Sequence, residues 1–326
     1  MIAPFREEDL PPSVRAAASA LRLDELTCRV VTSLRRAGIR GIVLKGPSIA
    51  RWLYTDGNRR HYVDSDLLVD PRLVGAASLV LVELNFEHPR GPVATGLSGD
   101  RAPYAYAWID RATGARFELH RTLIGLGVPP EEAWRVLSAQ TEEMLLRGER
   151  IDVLNAPART MHVALHAAQD GGRSPRAMED LRRAISEVPR DTWRQAKTVA
   201  EELDAVQALA YGLRLRSEGK DLAATLGLSA EESVDVLLHA ESSISSARGF
   251  EWLASKPGTL PKVGLVIRKL FPPPAFMRAW TPLARRGRLG LSLAYLWRPL
   301  WVCGQAIPGL VAWLSARRRA RHTSDE

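Results

Sequence analysis

The sequence contains few cysteines: there are only two, Cys28 and Cys303, and they form no C-x-x-C pair. Two thiols this far apart argue against a disulfide framework and against a zinc knuckle, and they suit a reducing cytoplasm. The first residues, MIAPFREEDLPPS, lack the basic and then apolar order of a secretory signal. The chain also has no Walker lysine loop, no G-x-S-x-G and no dinucleotide fingerprint. We therefore expect a cytoplasmic protein with none of these common catalytic motifs.

The positive charge is confined to one end of the chain. The net charge is +8, but residues 261–326 contain 12 Lys and Arg against 2 Asp and Glu, whereas the preceding 260 residues contain 33 against 35. The basic character thus belongs to the C-terminal segment and does not imply a phosphate-rich partner for the whole protein. No specific nucleic-acid motif accompanies it. Hydrophobic residues make up 46% of the chain, enough for a substantial core.

Two apolar runs contain the residues with the clearest chemistry. Gly41–Lys45 and Tyr62–Val69 both read as buried strands, and the second contains Asp64 and Asp66. Because side chains alternate along a strand, both carboxylates project from one face and repel each other. A divalent cation such as Mg²⁺ removes this repulsion. The alternative is that these carboxylates lie at a frayed strand end in water.

A third acidic residue follows in the segment Phe117-Glu118-Leu119-His120. Three motifs occur in order: L-K-G at residues 44–46, R-x-x-x-D-x-D-L-L-V at residues 60–69, and an acidic residue followed by L-H at residues 118–120. Together they resemble an uncharacterised bacterial nucleotidyltransferase family of the DNA polymerase beta-like superfamily. The resemblance covers roughly residues 20–125, and the helical remainder matches only loosely.

The resemblance implies metal-dependent transfer of a nucleotide. Asp64 and Asp66 would hold two Mg²⁺ or Mn²⁺ ions, and Glu118 would complete the site of the ion on the attacking side. Such ions clamp the attacking and leaving oxygens and offset the developing charge. The family more commonly has Asp at the third position. The alternative for Glu118 is an ordinary strand residue facing the surface.

The resemblance also implies residues for the triphosphate of an NTP. Gly46 lets the backbone approach a phosphate, Ser48 offers a hydroxyl and an N–H, and Lys45 would neutralise charge. Arg60 would contact phosphate or support the turn. Lys45 is alternatively a strand-end lysine in water. His120 shares the face of Glu118 and either contacts the substrates or makes a structural hydrogen bond.

The order of strands and helices predicts an α+β fold. We expect a small mixed sheet with flanking helices, of the polymerase beta type, followed by a helical C-terminal domain. The predicted parts are a nucleotidyltransferase-like domain at residues 1–156, a helical domain at 157–271 and a basic, tryptophan-rich segment at 272–326.

The C-terminal segment contains two apolar runs, Leu289–Trp297 and Leu300–Leu314, interrupted by Arg298-Pro299 and by Pro308. Each run is shorter than the roughly 20 residues of a membrane-spanning helix. We expect one or two short helices that lie on a surface. Tryptophans beside an arginine cluster suit weak contact with an anionic membrane. The alternative is that the tryptophans pack against the helical domain.

These observations lead to two functional hypotheses. The first is transfer of an NMP from an NTP to an unknown acceptor, which is a small molecule, a protein or RNA. The second is a catalytically inactive protein that keeps the fold and serves as a binding or regulatory protein, peripheral to a membrane in one version.

Overall fold

The computed structural model describes residues 11–56, 60–89, 103–229, 233–241, 245–255 and 258–322. The sequence also predicts a loop at residues 85–101, on its glycines and prolines, and Arg59 as a companion of Arg60; Arg59 and most of that loop lie outside the described residues. The chain divides into two compact units. The sheet unit comprises residues 1–91, 104–123 and 128–159, and the helical unit comprises residues 92–103, 124–127 and 160–326. The predicted three-part division of the chain stays a prediction.

In its described residues the sheet unit contains seven strands and four α-helices, with a short 3-10 helix at Pro71–Leu73. The strands are β1 Gly41–Val43, β2 Asp64–Val69, β3 Phe86–Glu87, β4 Ala105–Asp110, β5 Arg116–His120, β6 Thr141–Leu146 and β7 Glu149–Leu154. The helices are α1 Pro12–Arg36, α2 Pro47–Leu53, α3 Val74–Glu83 and α4 Pro130–Ala139.

The strands form one mixed sheet in the order β3-β4-β5-β2-β1-β7-β6. The pairs β2–β5 and β1–β7 are parallel, and the other pairs are antiparallel. The sequence predicts hairpins of Tyr104–Asp110 with Ala115–Arg121 and of Met144–Leu146 with Ile151–Leu154, and the structure has both, as β4–β5 and β6–β7. The predicted α+β class, with a mixed sheet, flanking helices and a C-terminal helical region, is confirmed.

The side chains of β2 alternate between two faces, and only one of these faces contacts α1. Ser65 is fully buried and accepts a hydrogen bond of 2.8 Å from Thr27 on α1. Asp64 and Asp66, one residue before and after, therefore belong to the opposite face of the sheet. A slip of one residue would turn both carboxylates towards α1, so the packing of α1 fixes the face on which they lie.

The longest stretch of the helical unit starts within α5, and its described residues contain nine further α-helices. The helices are α5 Ala156–Gln169, α6 Pro175–Glu187, α7 Arg190–Glu202, α8 Val206–Arg214, α9 Ser217–Thr225, α10 Val234–Glu241, α11 Ser245–Ser255, α12 Thr259–Leu270, α13 Pro274–Trp280 and α14 Gly287–His322. The sequence predicts breaks near Gly171-Gly172, Pro189, Gly219 and Gly227, and the first, second and fourth occur there. The break expected near Gly219 falls at residues 215–216, between α8 and α9, and Gly219 itself lies inside α9. A Cβ there would lie 2.0 Å from the Leu213 carbonyl oxygen, so close packing explains the glycine.

The two apolar runs of the C-terminal segment lie in one continuous helix, so the prediction of one or two short helices there is wrong. Helix α14 has 36 residues, and both Pro299 and Pro308 lie inside it. A proline removes one N–H and bends a helix, but neighbouring contacts can hold the helix together. Here Ser246 donates to the Gln305 carbonyl close to Pro308, at 2.8 Å. Among the described residues, Gly287–Arg321 is the one helix that is long and apolar enough to cross a membrane, judged by length and composition.

Candidate active site

The turn after β1 brings the backbone of two strands together at the site. The Leu44 N–H donates to the Asp66 carbonyl at 3.0 Å, and Lys45 and Gly46 follow directly. Gly46 has a φ of 64°, and a Cβ on it would lie 3.4 Å from the Asp64 carbonyl oxygen and 3.5 Å from the Tyr62 ring. A residue other than glycine would be strained in this conformation. The turn therefore depends on Gly46 for its shape and for its closeness to β2.

The parallel pairing of β2 with β5 places acidic residues side by side. Asp66 pairs with Glu118, and Leu68 pairs with His120. Since Glu118 and His120 are two residues apart on β5, their side chains lie on the same face as Asp66. The register thus brings together a carboxylate from each strand and an imidazole, although the paired residues lie 52 positions apart in sequence.

Asp66 is the centre of a buried polar cluster. Its Oδ1 lies 3.0 Å from Lys45 Nζ and 3.0 Å from His120 Nε2, and the same imidazole nitrogen lies 3.3 Å from Glu118 Oε2. Asp66 and His120 are buried, whereas the Glu118 side chain is about a third exposed. The second oxygen of Asp66, Oδ2, is buried and has no hydrogen-bond partner within the described residues.

The electrostatics of this cluster keep Asp66 ionised. Burial raises the pKa of Asp66, but Lys45 and the hydrogen bond with His120 outweigh burial and hold the pKa well below its usual range. Burial lowers the pKa of Lys45, and Asp66 more than restores it. Burial likewise lowers the pKa of His120, whereas hydrogen bonds with Asp66 and Glu118 raise it above its usual value. The two bases therefore favour the cationic form beside a buried carboxylate.

Three side chains have the donor atoms and spacing for a divalent ion. One ligand atom each from Asp66, Glu118 and His120 lies within 4.8 Å of the other two. Two carboxylates and an imidazole are common ligands of Mn²⁺ and other divalent metals, and carboxylate oxygens also suit Mg²⁺. The buried, unpaired Oδ2 of Asp66 is a further acceptor that a cation would satisfy. The cluster therefore fits a divalent ion.

The other predicted site residues lie around this cluster. Asp64 is half-buried at the start of β2 and acts electrostatically on Lys45, but it is outside the three-residue group. Ser48 is fully buried in α2, with its Oγ unpaired within the described residues. Arg60 is buried just before β2. The catalytic, metal-binding and phosphate-binding roles of these residues stay predictions.

A second buried network supports the turn and was missed in the sequence. Tyr62 donates to Asp24 on α1 at 2.5 Å, and Arg51 on α2 donates to the same carboxylate at 3.1 Å. Burial raises the pKa of Asp24, although the hydrogen bond from Tyr62 and the charge of Arg51 oppose the rise. The network joins both helices to the residue that contacts Gly46. The sequence does contain a signal for this network: the acidic residue Asp24 stands among apolar residues of α1 that are buried, such as Leu23.

Comparison with known families shows to which family the chain belongs. Residues 11–218, more than half of its length, match the family described as uncharacterised nucleotidyltransferase. The protein belongs to this family. The match reaches from α1 to the first residues of α9 and includes the seven described strands, so it contains the whole Asp66 cluster. The predicted place in the DNA polymerase beta-like superfamily, and the bacterial origin, stay predictions.

Two solved structures resemble this chain in part. One is the solution structure of the antibiotic-resistance factor ANT(2'')-Ia, with 10% identity, a TM-score of 0.40, and coverage of 56% of this chain and 94% of the other. The second is an antigenic nucleotidyltransferase-like protein from Paracoccidioides brasiliensis, with 18% identity, a TM-score of 0.40, and coverage of 63% and 92%. A comparison with curated proteins finds no match.

Proposed function

We propose that the protein transfers an NMP from an NTP to an acceptor and that this activity depends on Mg²⁺ or Mn²⁺. The observation that carries the proposal is the pairing of Asp66 with Glu118 across β2 and β5, with Lys45 and His120 on Asp66. Membership of a nucleotidyltransferase family supports the same reaction class. The acceptor is a small molecule, a protein or RNA.

Asp66 and Glu118 would hold the metal, with Asp64 as the further carboxylate of the same face. When bound, the ion would offset the negative charge of the triphosphate and of the attacking oxygen. His120 contacts both carboxylates from one nitrogen, at 3.0 and 3.3 Å, and so orients them relative to each other. We assign His120 a positioning role beyond the three predicted acids.

Lys45, Gly46, Ser48 and Arg60 would bind the phosphates. Lys45 lies next to the turn and its side chain is partly exposed, so it would attract an anion while it neutralises Asp66. Gly46 keeps the backbone close to β2, as a phosphate-binding turn requires. The hydroxyl of Ser48 is enclosed in this structure, and its N–H belongs to the first turn of α2.

The competing function is a binding or regulatory protein without catalysis. Two observations favour it: the Lys45 ammonium already lies on Asp66 Oδ1, and Asp64 is outside the group that could share one ion. An internal cation at that position satisfies the carboxylate without metal. Such a protein would bind a nucleotide and transfer nothing. The expected cytoplasmic location applies to both functions, and the expected membrane contact concerns residues outside the Asp66 cluster.

Incubation with α-labelled NTPs, Mg²⁺ or Mn²⁺ and a cell extract tests the proposal. We expect labelled product with the wild-type protein and none with Asp66→Asn or Glu118→Gln. Glu83→Gln is a matched control, because Glu83 is exposed on α3 in the same unit, and it should retain activity. Nucleotide binding without any labelled product, under both metals and with all four NTPs, would favour the binding protein instead.

A further inference from the structure

Helix α14 packs one of its faces against other helices of the helical unit. Ala294 and Ala316 are buried on this face, in clusters with residues of α13 and of α10 and α11 respectively. A Cβ on Gly290 would lie 2.2 Å from the Leu283 carbonyl oxygen, and one on Gly309 would lie 2.2 Å from Ser246 Oγ. Small residues therefore let the helix approach its neighbours closely, and this packing fixes which face is turned outwards.

The outward face of α14 is an apolar stripe. It consists of residues spaced by three, four or seven positions, which are between 55% and 82% exposed: Leu289, Leu293, Leu296, Leu300, Ile307 and Val311. At about 100° per residue, these side chains lie within an arc of roughly 60°. The stripe is about 33 Å long, given a rise of about 1.5 Å per residue. Soluble monomers rarely expose a continuous apolar surface of this size.

Basic residues flank the stripe at both of its ends. Arg285, Arg286 and Arg288 precede it, and a cluster at residues 317–321 follows it. Between residues 258 and 322 the chain has 12 Lys and Arg and no Asp or Glu. Trp297 and Trp301, both partly exposed, lie beside the stripe. A membrane interface favours this combination, because apolar side chains enter the acyl region while indole and guanidinium groups meet the headgroups.

We propose that α14 docks flat on an anionic membrane, with the stripe in the boundary between headgroups and acyl chains and with the opposite face still packed on the helical unit. This proposal rests on the helical unit alone and is independent of nucleotidyl transfer. It replaces the one or two short helices expected from the sequence by one long helix.

Two features favour an in-plane orientation over a span. A helix that spans a bilayer alone meets lipid on all sides, whereas α14 has a face committed to protein contacts. Arg298, in the middle of the helix, is buried: it donates to the Lys269 carbonyl at 3.0 Å and stacks on the Phe276 and Trp280 rings. Insertion would break these contacts and place the guanidinium near the bilayer centre, which is costly.

Charge also argues against two other occupants of the stripe. A second copy of the chain would bring arginine clusters together at both ends, in either orientation, since both ends of the stripe are basic. Like charges placed side by side oppose association. Nucleic acid would be attracted by the arginines, but it would leave the aliphatic stripe uncovered. An anionic lipid surface satisfies both the charge and the apolar area.

Flotation of the full-length protein with vesicles tests the proposal. We expect it to float with phosphatidylserine-containing vesicles at low salt, at least tenfold more than with phosphatidylcholine vesicles, and less at high salt. The double variant Leu296→Asp/Leu300→Asp should lose flotation. Leu79→Asp is the matched control, because Leu79 is an exposed leucine on α3, and it should float as the wild type does. Both variants change exposed side chains and should fold as the wild type does. Thermal melting checks this, and their melting temperatures should be unaltered.

Cys303 gives a second readout at the stripe. It is exposed between Leu300 and Ile307, whereas Cys28 is buried, so a thiol-reactive fluorophore should label Cys303 selectively. Its emission should shift to the blue with anionic vesicles and be quenched by brominated lipid. A Cys303→Ser/Leu79→Cys protein labelled on α3 should show neither change. Absence of anionic flotation, equal flotation with neutral vesicles, carbonate-resistant insertion, or dimers abolished by the double aspartate variant would each overturn the proposal.

Discussion

His120 Nε2 lies 3.0 Å from Asp66 Oδ1 and 3.3 Å from Glu118 Oε2, so one imidazole nitrogen contacts both acids of the paired strands. Lys45 reaches the same Asp66 oxygen at 3.0 Å. A buried carboxylate is costly unless it is paired. This cluster therefore combines a structural requirement, neutralisation of Asp66, with the donor atoms that a metal needs.

Replacement of Asp66 should affect stability more than replacement of Asp64. Asp66→Asn removes the partner of Lys45 in a buried pair, which should lower the free energy of unfolding by on the order of 3 kcal/mol. Asp64→Asn changes a half-buried residue at the strand end and should cost less. Denaturant melts of the metal-free proteins give both values. Equal losses for the two variants would contradict the central position of Asp66.

The positioning role of His120 predicts a loss of metal affinity. His120→Ala removes the nitrogen that contacts both carboxylates, so Mn²⁺ affinity should fall by roughly 10- to 100-fold. His120→Gln, which can still offer an amide donor, should recover part of that affinity. Titration calorimetry with Mn²⁺ measures both variants. If His120→Ala binds Mn²⁺ as the wild type does, His120 neither binds the ion nor orients the acids.

The turn at Gly46 offers a comparison with a second glycine. Gly46→Ala places a side chain at a φ of 64°, which should cost about 1 kcal/mol in stability, and it brings a methyl group against β2. Gly114 has a similar φ of 70° in the β4–β5 turn and open space around it. Gly114→Ala should cost a similar amount. Only Gly46→Ala should weaken NTP binding, as measured by equilibrium dialysis; equal binding by both variants would remove Gly46 from the phosphate site.

The Asp24 network predicts a structural role for Tyr62. Tyr62→Phe leaves a buried carboxylate without its hydroxyl donor, and the free energy of unfolding should fall by about 1 to 2 kcal/mol. Tyr106→Phe is the control, since Tyr106 is a buried tyrosine of the same unit whose burial raises its pKa. The control should change stability by less. A Tyr62→Phe protein as stable as the wild type would show that Asp24 does not depend on this bond.

Glu179, a carboxylate of the helical unit, should make the stability of the protein depend on pH in the acidic range. Hydrogen bonds with Arg182 and then Arg183 lower the pKa of Glu179 to about 2. Because the folded pKa is below the unfolded one, this stabilisation is complete above about pH 4.5 and is lost as the pH falls towards 2. Glu179→Gln should flatten the stability profile in that window. An identical profile for both proteins would show that these hydrogen bonds contribute nothing in solution.

The local elements were predictable because their signals are local. The cap at Asp70 is one example: its carboxylate accepts from the Arg72 N–H at 2.9 Å, as expected for an acidic residue before Pro71. Apolar runs and turn residues likewise predicted the hairpins β4–β5 and β6–β7. The same-face arrangement of Asp64 and Asp66 followed from the period of a strand.

The long-range contacts were not predictable from one sequence. The bond between Lys45 and Asp66 depends on the register of β1 and β2, and the bonds of His120 depend on the pairing of β2 with β5. The continuity of α14 depends on contacts such as that between Ser246 and Gln305, 59 residues apart. Pro299 and Pro308 by themselves predicted that the helix would be interrupted, because the effect of a proline on a helix is local. The contacts that compensate for it are tertiary and cannot be read from the sequence.

The most direct test of nucleotidyl transfer compares α-labelled and γ-labelled NTP in parallel reactions with Mn²⁺ and a cell extract. Attack at the α-phosphorus retains the NMP in the product and releases the β- and γ-phosphates together. Our account predicts a labelled acceptor from the α-labelled nucleotide, labelled pyrophosphate from the γ-labelled nucleotide, and neither with Asp66→Asn. A product labelled from the γ position, or one formed equally by Asp66→Asn, would contradict it.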